Sequence, residues 1–84
     1  MNYLLAGNES AERVAILISF TKINSEPLIK AINMRLVNDK PEKGAAILNG
    51  IPQQNLSRAL AKLNEVAEKV ENIKALDWAH LSVK

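Results

Sequence analysis

A run of amide, hydroxyl and basic side chains, QQNLSR at 53–58, contains the residue types in this chain that are best suited to chemistry. Glutamine and asparagine amides pair bidentately with adenine in the major groove of DNA, and arginine pairs with guanine in the same way. A serine hydroxyl can also bind a phosphate oxygen. The run therefore predicts contacts with DNA, and the candidate contact residues are Gln53, Gln54, Asn55, Ser57 and Arg58.

Basic residues surround this run, whereas acidic residues are absent from it. No Asp or Glu occurs from 43 to 64, where Lys43, Arg58 and Lys62 are found, and Lys40 lies just before that window. The whole chain has 11 Lys and Arg against 9 Asp and Glu, so its formal net charge is only +2. These lysines can neutralise DNA phosphates. The competing interpretation is an amphipathic helix whose polar face is simply solvated.

Few residues are suited to catalysis or metal binding. The chain has no Cys and a single His, His80, which we expect to be solvated near the end of the sequence. A structural zinc site draws its ligands mainly from Cys and His, and a Ser–His–Asp triad needs a suitably placed His. The three glycines are too scattered to form a phosphate-binding loop. We therefore expect neither an enzyme nor a cofactor or metal site.

The length and composition indicate one small cytoplasmic domain. A chain of 84 residues buries only about 60–65% of its unfolded surface, and small helical domains often gain stability by oligomerising. The absence of Cys favours an intracellular location. The start, MNYLLAGNES, lacks the basic residues of a signal peptide. No apolar stretch approaches the length of a membrane span, so we expect no membrane partner.

Helices must position the candidate residues, and the apolar periodicity predicts four of them. The first covers about 9–21, and the second runs from a cap at Asn24 or Ser25 to about Val37. The third runs from Pro41 to about 48, and the fourth starts at Pro52 or Gln53 and continues towards the end of the chain. No strand alternation is present. The expected fold is all-α: one four-helix domain, residues 1–84, with a long last helix.

The segment 42–61 has the pattern of a helix-turn-helix. Ala46 is followed four positions later by Gly50, which can adopt positive φ, and then by Ile51, which we expect to be a buried plug. Apolar residues at Leu56 and beyond return the second helix to the core. The pattern resembles the helix-turn-helix of phage repressors and Cro proteins. In such proteins the N-terminal residues of the second helix face base edges in the major groove.

Several single residues carry separate expectations. Asn49 occupies a position that is usually apolar in a helix-turn-helix, and a small rotation would let Leu48 substitute for it. Gly44 is small enough to let another backbone approach closely. We expect Trp78 to lie in the core, in preference to an interface. Other apolar residues expected in the core are the lead-in Tyr3, Leu4 and Leu5, and the first-helix stripe of Val14, Leu17 and Ile18, widened by Ile16 and Phe20.

A second resemblance covers about 17–73. The stretches INSEPLIKAINMRLV and NLSRALAKLNEV are similar to the fimbrial adhesin operon regulators of the PapB type, and more distantly to the plasmid regulators of the KorA/TrfB type. That family has an I-x-S-x-x-x-I-x-A stretch before the helix-turn-helix and an aromatic residue or Leu before a Ser in the recognition helix. Residues 2–12 have no counterpart. The matching residues are Ile23, Ser25, Ile29 and Ala31, then Leu56, Ser57, Leu60 and Leu63.

The resemblance to these regulators implies transcription regulation of a fimbrial or adhesin operon by an oligomer bound to AT-rich promoter DNA. It therefore also implies association with the nucleoid. The family has been associated with minor-groove contact. The polar residues of the fourth helix favour the major groove instead, and the two modes remain alternatives.

The last helix has a heptad seam that suits assembly. Over 59–76 the seam can pack on a second copy, and a symmetric dimer suits DNA half-sites about one turn apart. Alternatively, the seam covers the first two helices of its own chain. A different class of function is also open: a helical interaction module that binds another regulator through this helix. RNA binding is disfavoured because aromatic residues for base stacking are scarce. The candidate interface residues are Leu63, Val66, Val70 and Ile73.

Overall fold

The computed structural model describes residues 3–4 and 7–82, without the side chains of 80–82. This part of the chain is all-helical and has no strand, which confirms the predicted four-helix fold with a long last helix. The predictions for Leu5 and for the side chain of His80 lie outside the described residues. The helices are α1 (Ala11–Ser19), α2 (Glu26–Leu36), α3 (Glu42–Leu48) and α4 (Gln53–Ser82).

Serine residues cap the first two helices. The Ser10 hydroxyl accepts a hydrogen bond from the backbone N–H of Arg13 at 3.0 Å, and the Ser25 hydroxyl accepts one from the N–H of Leu28 at 3.5 Å. Each bond satisfies a backbone donor that has no partner in the first helical turn. Because the cap is Ser10 and the helix ends before Phe20, α1 is shorter than predicted at both ends.

The core lies where α2 and α4 cross. These two helices contact each other and both of the others, whereas α1 and α3 contact α2 and α4 but not one another. Every helix contributes small or branched apolar side chains to this thin interior. The buried apolar residues are Leu4, Val14, Leu17, Ala31, Ile32, Leu36, Ala45, Ala46, Leu56, Ala59, Leu63, Val66 and Ala67.

The segment before α1 caps the C-terminus of α2. The backbone N–H groups of Gly7 and Glu9 both donate to the carbonyl oxygen of Leu36, at 2.9 and 3.1 Å, and so satisfy the C-terminus of α2. The guanidinium of Arg13, on α1, lies 2.8 Å from the buried carboxylate of Glu9. It also lies 3.5 Å from the carboxylate of Glu71, on α4, and so links the two helices.

The distal part of α4 extends beyond the packed body. A helix of 30 residues is about 45 Å long, and the described chain measures 52 × 23 × 22 Å. All residues from 72 to 79 are exposed. Trp78 is 73% exposed, so its predicted place in the core is wrong. The reason is length: α1 and α2 are too short to cover the end of α4.

The expectations for three further residues, Ile16, Phe20 and Gly44, need correction. Ile16 and Phe20 are exposed, because only the Val14 and Leu17 side of α1 faces the other helices. Within the described part of the chain, no atom lies within 4 Å of a Cβ built on Gly44, so this glycine does not mediate a close approach between the described helices. Among the described residues, no helix is both long and apolar enough to cross a membrane.

Candidate nucleic-acid interface

A tight turn joins α3 to α4 and sets the angle between them. The N–H of Ile51 donates to the carbonyl of Ala46 at 3.0 Å, and the N–H of Gly50 donates to that of Ile47 at 3.1 Å. Gly50 has φ +65°, as predicted. This pair of bonds with a left-handed glycine is a Schellman motif, which satisfies the last carbonyls of α3. Ile51 packs against the core but is only half-buried, so it is less enclosed than predicted.

Asn49 fills its position in the turn without help from Leu48. Its amide nitrogen donates to the carbonyl of Ala45 at 2.8 Å and lies 3.3 Å from the sulfur of Met34. Leu48 is 68% exposed, so the expected substitution of Leu48 for Asn49 is wrong. The polar side chain is tolerated at this position because it hydrogen-bonds within its own helix.

The first turns of α4 present the candidate contact residues to solvent. Leu56 and Ala59 are buried and fix the rotation of the helix about its axis. The polar side chains consequently lie away from the core, on the outside of the domain. Gln53, Gln54, Asn55, Ser57 and Arg58 are all exposed.

The fold brings an acidic residue to this surface. The hydroxyl of Ser57 donates a hydrogen bond to the Oε1 atom of Glu42, in the first turn of α3. Glu42 lies just outside the acid-free window in the sequence, yet its carboxylate is adjacent to the candidate contacts in space. Sequence reasoning missed this contact because the two residues belong to different helices.

The candidate lysines lie on different elements. Lys40 precedes α3 and Lys43 follows Glu42 on it, and both are exposed. Lys62 is on α4, on the side opposite the Glu42 contact, and its ammonium lies 3.9 Å from Glu65. Because both of those side chains are more than half exposed, this ion pair is weak and leaves Lys62 able to meet another anion.

A groove on the Lys62 side contains a further cation. Its volume is about 610 Å³, and it separates the α1–α2 connection from α4. Lys22 lines it together with Arg58 and Lys62. Sequence reasoning did not single out Lys22, because it lies in a different connection, far along the chain from Arg58. Phe20, Thr21, Ile23, Leu28, Asn55 and Ala59 complete the lining.

The fold buries the first part of the predicted oligomer seam and leaves its distal end accessible. Leu63 and Val66 are buried in the core of their own chain, so their assignment to an interface between copies is corrected. Val70 packs against the same core but is only partly buried, whereas Ile73 is exposed. The covering role of the seam therefore applies to its first half, and only its distal end is accessible to another molecule.

Comparisons with models of known protein families, with curated proteins and with solved structures find no significant match.

Proposed function

We propose that this protein is a sequence-specific DNA-binding transcription regulator that contacts duplex DNA with the first turns of α4. One observation carries the proposal: the Schellman turn at Gly50 orients an exposed N-terminal helix end with Gln53, Gln54 and Arg58 on its surface. Side chains of these types at the start of a recognition helix can hydrogen-bond to base edges. The favoured docking is in the major groove.

The phosphate contacts in this proposal come from both sides of α4. Lys40 and Lys43 would contact the DNA backbone near the start of α3, and Lys62 would contact it further along α4. Such contacts position a protein on DNA without selecting its sequence. Glu42 opposes them, because its carboxylate lies beside Ser57 and repels phosphate.

The target and the assembly are further parts of the proposal. The similarity to fimbrial adhesin operon regulators supports an AT-rich promoter as target and a location on the nucleoid. A homodimer or a larger homo-oligomer would increase affinity by binding two half-sites at once. Its contact surface would be the distal end of α4, where Ile73, Leu76 and Trp78 are exposed.

Binding of fluorescent AT-rich duplexes by matched variants tests the proposal. Arg58→Ala should weaken binding of a selected sequence by about 1–3 kcal/mol if Arg58 contacts a base. Lys69→Ala removes the same charge from the distal part of α4, where Lys69 is exposed, and should change affinity little. In a second pair of variants, Gln54→Ala tests a proposed contact residue and Asn72→Ala is its control on the distal part of α4. Equal effects within each pair would refute the assignment of the contact surface.

The salt dependence of binding identifies the phosphate contacts separately. The logarithm of the association constant should fall linearly with the logarithm of salt concentration, and Lys43→Ala should reduce the slope by about 1. Absence of binding to any duplex at low salt would refute DNA binding altogether.

The exposed distal end of α4 also favours a second candidate function, a helical module that binds another regulatory protein. Ile73, Leu76 and Trp78 are large apolar residues in a segment that no other described part of the chain covers, and such surfaces often bind proteins. This function predicts capture of a protein partner by the wild type but not by Leu76→Lys, together with no duplex binding at low salt. Duplex binding that depends on Arg58 would favour the regulator instead.

A further inference from the structure

The groove between the α1–α2 connection and α4 combines an apolar wall with a cationic rim. Phe20, Ile23 and Leu28 supply the apolar side chains, and Lys22, Arg58 and Lys62 supply three positive charges. None of the described residues that line it is acidic. The volume of about 610 Å³ is in the range of small-molecule sites. The groove shares Asn55, Arg58 and Lys62 with the proposed DNA contacts and differs from them in its apolar side chains.

We propose that this groove binds a small amphipathic anion, a carboxylate or phosphate attached to an apolar body of several carbon atoms. The apolar wall would bury the hydrocarbon part, and the cationic rim would hold the anionic head. Phe20 is 65% exposed, so a ligand can cover it without unfolding any part of the domain. DNA phosphate alone would leave this apolar wall exposed to water, and that mismatch favours the amphipathic ligand.

Occupancy of the groove would oppose DNA binding. Arg58 and Lys62 belong both to the groove and to the proposed DNA contacts, so one anion excludes the other. The ligand would therefore act as an inducer that releases the regulator from DNA. This regulatory consequence rests on the proposed function, whereas binding of the anion does not.

Nuclear magnetic resonance titration of the full chain, without DNA, tests the binding. The probes are octanoate, its neutral analogue octanamide, and inorganic phosphate. Octanoate should give saturable shifts of backbone amides in 20–28 and 55–62, whereas the two control compounds, which lack either the charge or the apolar body, should bind at least ten-fold more weakly. Equal binding of octanamide, or no saturation by octanoate, would overturn the proposal.

Matched variants locate the site. Lys22→Ala should weaken octanoate binding about two- to five-fold, the range of one exposed charge contact, and Lys30→Ala, which lies outside the groove, should not. Phe20→Ser should weaken it about five-fold or more through lost apolar contact. Its control is Ile47→Ser, because Ile47 is 67% exposed on α3. Equal effects of the groove variants and their controls would place the anion elsewhere and overturn the proposal.

Competition separates the two proposals. Octanoate should displace a bound duplex from the wild type, and the displacing concentration should rise for Phe20→Ser. If the chain binds no duplex, the proposed function fails while the titration still decides the groove. If Lys22→Ala weakens DNA binding but octanoate does not bind, the groove is a DNA-phosphate contact and the anion site is refuted. If octanoate binds without displacing DNA, the inducer role is refuted.

Discussion

The contact between Glu42 and Ser57 is the residue-level feature that most directly affects the candidate interface. The Ser57 hydroxyl donates to the Glu42 carboxylate, so it can donate to a DNA phosphate only when that bond breaks. The carboxylate also places a negative charge among the lysines that would meet the phosphates. Glu42 stabilises the start of α3, where the helix dipole favours an acid. It consequently favours folding of the domain but would oppose the proposed binding of DNA.

Replacing this carboxylate by an amide should therefore strengthen DNA binding. Glu42→Gln is expected to raise duplex affinity about two- to five-fold, the effect of removing one partly screened charge repulsion. Fluorescence anisotropy at fixed salt measures it. The control is Glu68→Gln, which neutralises an exposed acid on the distal part of α4. Weaker binding by Glu42→Gln in a folded protein would mean instead that the carboxylate orients Ser57 for its contact.

At the level of elements, the α3–α4 turn and the length of α4 determine how the candidate residues are presented. Gly50 has positive φ, whereas Gly44 lies inside α3 with no atom near its missing Cβ. The position of Gly50 therefore requires a glycine, whereas the position of Gly44 can accept a larger residue. The helix that follows is unbroken from Gln53 to Ser82, so the candidate contact surface and the exposed distal end belong to one element.

Alanine at the two glycines should have effects of opposite sign. Gly50→Ala is expected to lower the free energy of unfolding by about 1–2 kcal/mol, because an L residue is strained in the left-handed region. Gly44→Ala should raise it by about 0.5–1 kcal/mol through better helix propensity. Urea unfolding followed by circular dichroism measures both. A loss of stability in Gly44→Ala would contradict the open space found around this residue.

Two leucines of α4 should respond differently to the same truncation. Leu63→Ala should lower the free energy of unfolding by about 2–5 kcal/mol, because Leu63 is fully buried and its removal leaves a cavity. Leu76→Ala should change it by less than about 0.5 kcal/mol at concentrations low enough for the chain to be monomeric, where Leu76 is exposed. Leu63→Ala should also reduce DNA binding without touching DNA, in proportion to the unfolded fraction. Similar stabilities of the two variants would contradict the division of the seam.

The described part of the chain is elongated, because the distal part of α4 projects from a compact body of packed helices. Its long dimension of 52 Å is more than twice the other two, 23 and 22 Å, and α4 accounts for it. Ile73, Leu76 and Trp78 are exposed on the projecting end. Ile73 and Leu76 are three positions apart and share one face of the helix, whereas Trp78 lies on another face. Large apolar residues exposed on one helix face often mark an interface, which is why we propose that this end joins a second copy.

Charged residues at this end should disrupt the proposed assembly. Ile73→Lys/Leu76→Lys is expected to be monomeric by light scattering at concentrations where the wild type is larger, and to bind palindromic DNA more weakly. Ile47→Lys, an equally polar change at an exposed site on α3, should leave the oligomeric state unchanged. The emission of Trp78, the only Trp, should shift to shorter wavelength as the wild type assembles. A wild type that is monomeric at micromolar concentration would contradict the oligomer.

Most secondary structure was predictable because its signals are local. Ser10, Ser25 and Pro27 mark helix starts, and Gly50 marks the turn, through hydrogen bonds and backbone angles within a few residues. The exposure of Gln53, Gln54, Asn55, Ser57 and Arg58 also followed from helical periodicity alone. The predictions of burial were wrong where they depended on whether another helix covers an apolar face. Phe20 and Trp78 fit apolar patterns and are nevertheless exposed.

By itself, the sequence determined the four helices, the turn and the set of polar residues at the start of α4, since each depends on neighbours along the chain. Only the tertiary structure decided which apolar residues form the core, since α1 and α2 end before they reach the distal part of α4. It also placed Glu42 beside Ser57, and Lys22 on a groove with Arg58. Contacts between helices depend on how distant segments pack, and periodicity within one segment carries no information about its partner.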